Sequence, residues 1–305
     1  MNDYSRLVLA MTPSRLGSVL AAAALILCGA SLSAHDGLTE QIAAVTAQIS
    51  RNPGSFDLVV RRAELYREDH QWKEALADLD RAERLDRTRP APDLVRAHVY
   101  LDTHRWQASV EAATRFLARQ TGHADALIVR GRARAKLGDR RAAAADFTRA
   151  LETRPLPGVY LERAHNVESL GPRNVESALR GLDEGITRLG PIVTLELEAV
   201  ELELRLKRYD AALARLDRVS AQSARKDTWL ARRAAILERA GRLDEARVTY
   251  TAALDSANSQ RERIRQTRAS TALIRQLRAD IARLATTPGH RSVTRRWQPD
   301  AAGTE

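Results

Sequence analysis

The 305-residue chain is poor in several things at once. It has one cysteine, Cys28. That excludes a disulfide framework and a multi-cysteine zinc site. Aromatic residues make up 4% of the chain. Lysine is nearly absent: Lys73, Lys136, Lys207 and Lys226 are the only four among 49 basic residues, and the other 45 are arginine. No phosphate-binding glycine loop occurs, and no Ser-His-Asp order has a supporting loop context. The seven histidines are scattered. His70 and His104 stand on successive turns whose helices would stack about 8–10 Å apart, too far for joint metal ligation. These absences argue against an enzyme and leave no cofactor or metal to place.

What is present is helix-forming. Hydrophobic residues reach 44%, too many for a disordered chain. Abundant Ala, Leu and Arg are among the strong helix formers. The net charge is +10, yet arginine is usually interleaved with acid, as in Arg81-Ala82-Glu83-Arg84-Leu85-Asp86-Arg87. A nucleic-acid binder concentrates its positive charge on one face or in one block. The interleaving therefore reads as solvated helix faces rather than a nucleic-acid surface.

The first 34 residues read as a secretory signal peptide. Arg6 and Arg15 precede an uncharged apolar run, Leu16 to Ala30, and small residues lead to Ala34, where cleavage is expected. The run is short for a membrane span of about 20 residues. Retention as an anchor, or lipidation at Cys28, are the alternatives. Leu27 breaks the small-residue requirement that lipidation places before the cysteine.

The remainder repeats. Small-x3-large-x2-small occurs as Ala75-Leu79-Ala82, then Ser109-Ala113-Phe116, Ala143-Phe147-Ala150, Ala178-Leu182-Gly185, Ala212-Leu216-Val219 and Ala246-Tyr250-Ala253. The leading positions step by 34 or 35 residues. A second column of small residues, Ala63, Ala97, Gly131, Ala164, Ala199 and Ala234, keeps the same period. Turn signals separate the columns at His70-Gln71, His104-Arg105, Gly138-Asp139, Gly171-Pro172, Lys207-Arg208 and Gly241-Arg242. The pattern resembles the tetratricopeptide-repeat family, whose 34-residue unit is a helix-turn-helix with A-x3-F and a closing proline. The best match is 124–157, where Leu127, Gly131, Gly138, Ala143, Phe147, Ala150 and Pro155 fall in register.

The resemblance implies an all-α, right-handed superhelical solenoid of about six helix-turn-helix repeats plus capping helices. The expected divisions are a leader at 1–34, an N-terminal capping helix at 35–55, and repeats at 56–89, 90–123, 124–157, 158–191, 192–226 and 227–258. A C-terminal capping helix over 259–285 and a disordered tail at 286–305 complete the chain. The capping helix has Ile264, Ile274, Leu277, Ile281 and Leu284 on one face and arginines on the other.

Two sets of candidate residues follow. The residue before each small residue of the first helix is Arg62, Arg96, Arg130, Arg163, Glu198 or Arg233, where the family usually places leucine. A charge at a packed position needs a partner. Arg62 is therefore expected to pair with Asp78, and Arg130 with Asp146, in structural two-pronged contacts. The resemblance further implies that the first helices line a concave groove for extended peptides. By register, Val60, Leu94, Ile128 and Leu161 form an apolar row there, and Glu168, Glu203 and Glu238 an acidic one, with His98, Arg132 and His165 between. The Lys/Asn clamp that some repeats use for a C-terminal carboxylate is missing.

The resulting expectation is an exported, non-enzymatic scaffold of the periplasm or cell envelope. It would hold an extended or helical segment of another protein, with apolar anchors and basic residues. Nucleic acid is not the expected partner. The alternatives are a membrane-associated assembly factor, held by an uncleaved N-terminus or the basic C-terminal helix, and a binder of acidic polymers through arginine.

Overall fold

In the computed structural model the described residues are 37–286, apart from 222 and 224. The expected leader, Cys28 and the tail beyond 286 lie outside them. The described residues contain helices and no strand. No described helix is long and apolar enough to cross a membrane. The chain divides into two compact units, one ending at Arg154 and one beginning at Pro155.

The first unit opens with α1, helical over 37–51. Three helical hairpins follow. They are α2 (Phe56–Glu68) with α3 (Trp72–Leu85), α4 (Ala91–Asp102) with α5 (Trp106–Arg119), and α6 (Ala124–Lys136) with α7 (Arg140–Thr153). Each helix packs on its hairpin partner, and successive first helices touch, α2 on α4 and α4 on α6. Buried Ile49 of α1 joins a cluster with Phe56, Val59, Val60, Ala63, Leu79, Ala82 and Val95. α1 thus occupies the place of a second helix missing its first, and covers apolar surface that the end repeat would otherwise expose.

The second unit holds α8 (Pro157–Glu168) with α9 (Val175–Leu189), α10 (Val193–Arg205) with α11 (Tyr209–Ala221), and α12 (Asp227–Arg239) with α13 (Leu243–Asn258). After these come a one-turn helix α14 (Glu262–Arg265) and α15 (Arg268–Thr286). α15 packs on α13. Its Leu277 and Leu284 are buried in a cluster with Leu216, Leu237, Tyr250 and Ala253. The single helix expected over 259–285 is therefore broken. Thr267 is the cause: its hydroxyl accepts from Ser270 N at 3.3 Å and donates to or accepts from Ser270 Oγ at 3.0 Å, capping a new helix start.

The hairpin turns share one backbone solution. Gln71, Arg105, Asp139, Arg208 and Arg242 each donate their N–H to a carbonyl five residues back, at 2.8–2.9 Å. Such a closure places the residue before them in the left-handed region. Gly138 and Gly241 meet that demand with φ of 88° and 77°, while His70, His104 and Lys207 adopt it at 60°, 60° and 59°. The two histidines gain ring contacts in return, with Trp72 at 5.0 Å and Trp106 at 4.8 Å. The fourth turn carries extra residues and instead forms a 3-10 turn, Pro172–Asn174.

The small-residue columns are close approaches. A Cβ built on Gly131 would lie 2.8 Å from Phe147 Cε1. Hairpin four exchanges the roles, and a Cβ on Gly185 would lie 2.8 Å from Tyr160 Cγ. Alanine favours helix over glycine by roughly 1 kcal/mol. Displacing a fully buried ring costs on the order of 1–3 kcal/mol and outweighs that gain. Gly131→Ala is expected to destabilise the first unit in urea titrations, and Phe147→Leu in the same chain to recover part of the loss. A Gly131→Ala protein as stable as the parent would show that the hairpin yields.

Candidate partner-binding site

Within each unit the arginine column meets the second helices of the hairpins. Arg62 donates Nε to Asp78 Oδ2 at 2.7 Å and Nη2 to Oδ1 at 2.8 Å, and its Nη1 reaches back to Thr46 Oγ1 of α1 at 3.1 Å. Asp78 accordingly raises the Arg62 pKa. Arg130 grips Asp146 the same way, at 2.9 and 2.6 Å, and reaches Thr114 Oγ1 at 3.4 Å. Asp146 also accepts from Arg134 Nη1 at 2.8 Å. Each of these arginines therefore bridges partners 16 residues behind and 16 ahead.

The other members vary this scheme. Arg96 finds alanine at the forward position and turns back, to Asp80 at 2.7 Å and Glu83 at 2.8 Å. Arg233 likewise turns back to Asp217. Arg163 donates to Gly181 O and Glu184, both at 2.8 Å. A Cβ on Gly181 would approach its Nη2 to 3.1 Å, so the glycine makes room for the guanidinium. Glu198, the exception, meets His165 Nε2 at 3.1 Å. Their hydrogen bond raises the His165 pKa and lowers that of Glu198.

The row positions of the first helices do not all reach solvent. Val60 and Ile128 are buried, 9% and 3% exposed, and Val60 packs in one cluster with Val95 of the next first helix. Leu94 and Leu161 remain half-buried and Arg132 is exposed. His98 Nε2 lies 2.9 Å from Asp125 Oδ2, and this bond holds Asp125 below the usual carboxylate range. The apolar row is thus open at two of its four positions.

The acidic row is not open either. Glu203 is buried, 4% exposed, and accepts from Arg215 Nε at 2.7 Å. Burial pushes its pKa up. Glu168 is paired with Arg205. Glu238 accepts from Arg283 Nη2 of α15 at 3.0 Å and lies 3.3 Å from Tyr250 Oη. Burial raises that tyrosine to about 12. Arg215 holds further carboxylates: Glu196 Oε2 at 3.1 Å and Asp183 Oδ1 of α9 at 2.6 Å. All three glutamates are spent on internal contacts, so they offer no open acidic surface for a basic ligand. Long arginines from other helices reach them, and helical register alone does not show where such side chains end.

Around Leu94 the first unit has a cleft of about 310 Å³. Leu94, Val95, Phe116, Pro90 and Ala91 form its apolar lining, and Glu64, Arg89, Gln120 and His123 its polar remainder. The rim is held in place. Arg89 stacks 4.0 Å over Phe56 and donates Nη2 to Asp57 Oδ1 at 2.5 Å. His123 caps α6 by accepting from Ala126 N through Nδ1 at 3.3 Å, and its ring meets Phe116 edge-on at 4.9 Å. Register pointed to Leu94, whereas Arg89, Gln120 and His123 come from interhelical turns that register does not address.

No profile of a known protein family matches the chain, and no curated protein matches it. Solved structures do. The C-terminal part of a TPR repeat-containing protein from Cytophaga hutchinsonii aligns with a TM-score of 0.55 at 13% identity, covering 75% of this chain and 96% of that one. Pseudomonas aeruginosa PilF aligns with a TM-score of 0.50 at 13% identity, covering 76% and 99%. Helical hairpins stacked through small-residue columns define an α-hairpin repeat protein. Within that class, the fold is the tetratricopeptide-repeat fold.

Proposed function

We propose that the protein is a non-enzymatic scaffold that holds a segment of another protein. The observation that carries this reading is the cleft at Leu94. It pairs an apolar floor with polar rim groups, the composition of a recognition pocket, and about 310 Å³ suffices for one large apolar side chain. The partner is then an extended or helical segment that inserts one apolar anchor and meets Glu64, Gln120 and His123 with polar groups. Basic residues are not what it needs, since Glu168, Glu203 and Glu238 are engaged internally.

The test is affinity capture from a cell-envelope extract with the parent protein, with Leu94→Asp, and with Glu168→Lys. Leu94→Asp should weaken capture by about thirtyfold or more, as loss of a buried anchor does, with helicity unchanged by circular dichroism. Capture that survives Leu94→Asp but fails with Glu168→Lys would overturn the cleft in favour of charge recognition. Export to the periplasm or envelope rests on the pattern of residues 1–34. N-terminal sequencing of the mature protein is expected to begin at His35, and an intact Met1 would replace export of a soluble form with a retained anchor.

A further inference from the structure

The net charge is unevenly placed. Residues 261–305 hold ten arginines and four acidic residues, so the last 45 residues carry six of the ten net positive charges. The preceding 260 residues, with 39 basic and 35 acidic groups, are close to balance. In the repeats arginine after arginine ends on a carboxylate, such as Asp78, Asp146, Glu203 or Asp217. On α14 and α15 only Arg283 does so among the described residues, to Glu238 and Asp280. The side chains of Arg261, Arg263, Arg268, Arg275 and Arg278 are exposed and make no hydrogen bond or ion pair among the described residues.

Three of these align. With 100° per residue, Arg268, Arg275 and Arg278 fall within about 80° of one another, opposite Leu277 and Leu284, along about 15 Å of α15. Between them the outward face shows Thr271, Ala279 and Ala282, all exposed, and no acid. Asp280 lies to the side, where Arg283 neutralises it at 2.9 Å. Ile264, 36% exposed, stands among Arg261, Arg263 and Arg265.

We infer that this face of α14 and α15 docks on an anionic lipid surface. The apolar stripe of α15 is already buried against α13, so the helix cannot turn it into a bilayer. It offers instead a straight, level row of guanidiniums whose forks suit headgroup phosphates. Exposed Ile264 beside them suits the interface, where an apolar side chain finds acyl chains next to charged headgroups. Nucleic acid fits less well, since α14 and α15 carry no aromatic side chain on which bases could stack.

The experiment is co-sedimentation of the full chain with vesicles of phosphatidylcholine alone or with about one-third phosphatidylglycerol. The parent should bind only the anionic vesicles and be released by high salt. The triple variant Arg268→Gln, Arg275→Gln and Arg278→Gln should bind on the order of a hundredfold more weakly, from about fivefold per arginine. These side chains support nothing else in the fold, so the variant's helicity and melting should match the parent. Equal binding to both vesicle types, or undiminished binding by the triple variant, would overturn the inference. Tighter binding to a duplex DNA fragment than to the anionic vesicles would replace it with a nucleic-acid surface.

Discussion

Arg215→Ala is expected to lower the stability of the second unit by about 3–5 kcal/mol near neutral pH, the cost of leaving buried charge without its partner. Its guanidinium reaches carboxylates of two other helices, Asp183 on α9 and Glu196 and Glu203 on α10. Glu196 and Glu203 are buried, 1% and 4% exposed. Without the arginine Glu203 must stay charged in a poor environment or take up a proton, while Glu196 keeps, among the described residues, only Arg218 at 3.5 Å. Burial already raises the folded-state pKa of Glu203. A carboxylate whose folded pKa is raised binds its proton more readily when folded. Its contribution is therefore most favourable below the unfolded pKa and is lost as pH rises through the folded one. Loss of Arg215 raises that folded pKa further. The deficit of the variant should thus be largest near pH 7 and shrink toward about pH 5. Urea titrations at both values check this. A deficit that does not change with pH would mean that Arg215 acts through its packing alone.

Asp146→Ala should have the corresponding effect in the first unit, also about 3–5 kcal/mol. Asp146 is 2% exposed and holds both Arg130 and Arg134, so its removal strands two guanidiniums at once. Asp217→Ala is the control. Asp217 pairs with Arg233 of the same column, yet its side chain is 54% exposed. An exposed pair contributes less than about 1 kcal/mol. Thermal melts of the two variants should therefore differ widely although the contacts look alike on paper. Equal losses would remove burial as the factor that ranks the column.

The period of 34 was legible because close packing recurs at fixed spacing. Gly131 against Phe147 and Gly185 against Tyr160 leave no room for another side chain. The column of arginines was legible for the same reason, and so were the aspartates 16 residues ahead of Arg62 and Arg130. The backward pairs came only from the structure: Asp80 stands 16 residues before Arg96, and Asp217 16 before Arg233. The forward offset alone does not find them, since a guanidinium between two second helices can turn either way.

The acidic row shows where this kind of reading stops. Register gives the side of a helix on which Glu203 or Glu238 lies, and it says nothing of Arg215, 12 residues on, or Arg283, 45 residues on. Those partners are set by side-chain reach between helices. The break at Thr267 is similar. The apolar spacing from Ile264 to Leu284 suits one continuous helix, and a single hydroxyl bonded to Ser270 N divides it.

By itself the sequence determined the hairpins, their number, their turns and the residues that let them approach, because each is a local or strictly periodic requirement. Tertiary structure decided which surfaces stay open. It buried Val60 and Ile128 and used the acidic row internally. It left a cleft at Leu94 and a row of unpaired arginines on α15. The physical reason is that exposure and charge balance belong to neighbouring helices together.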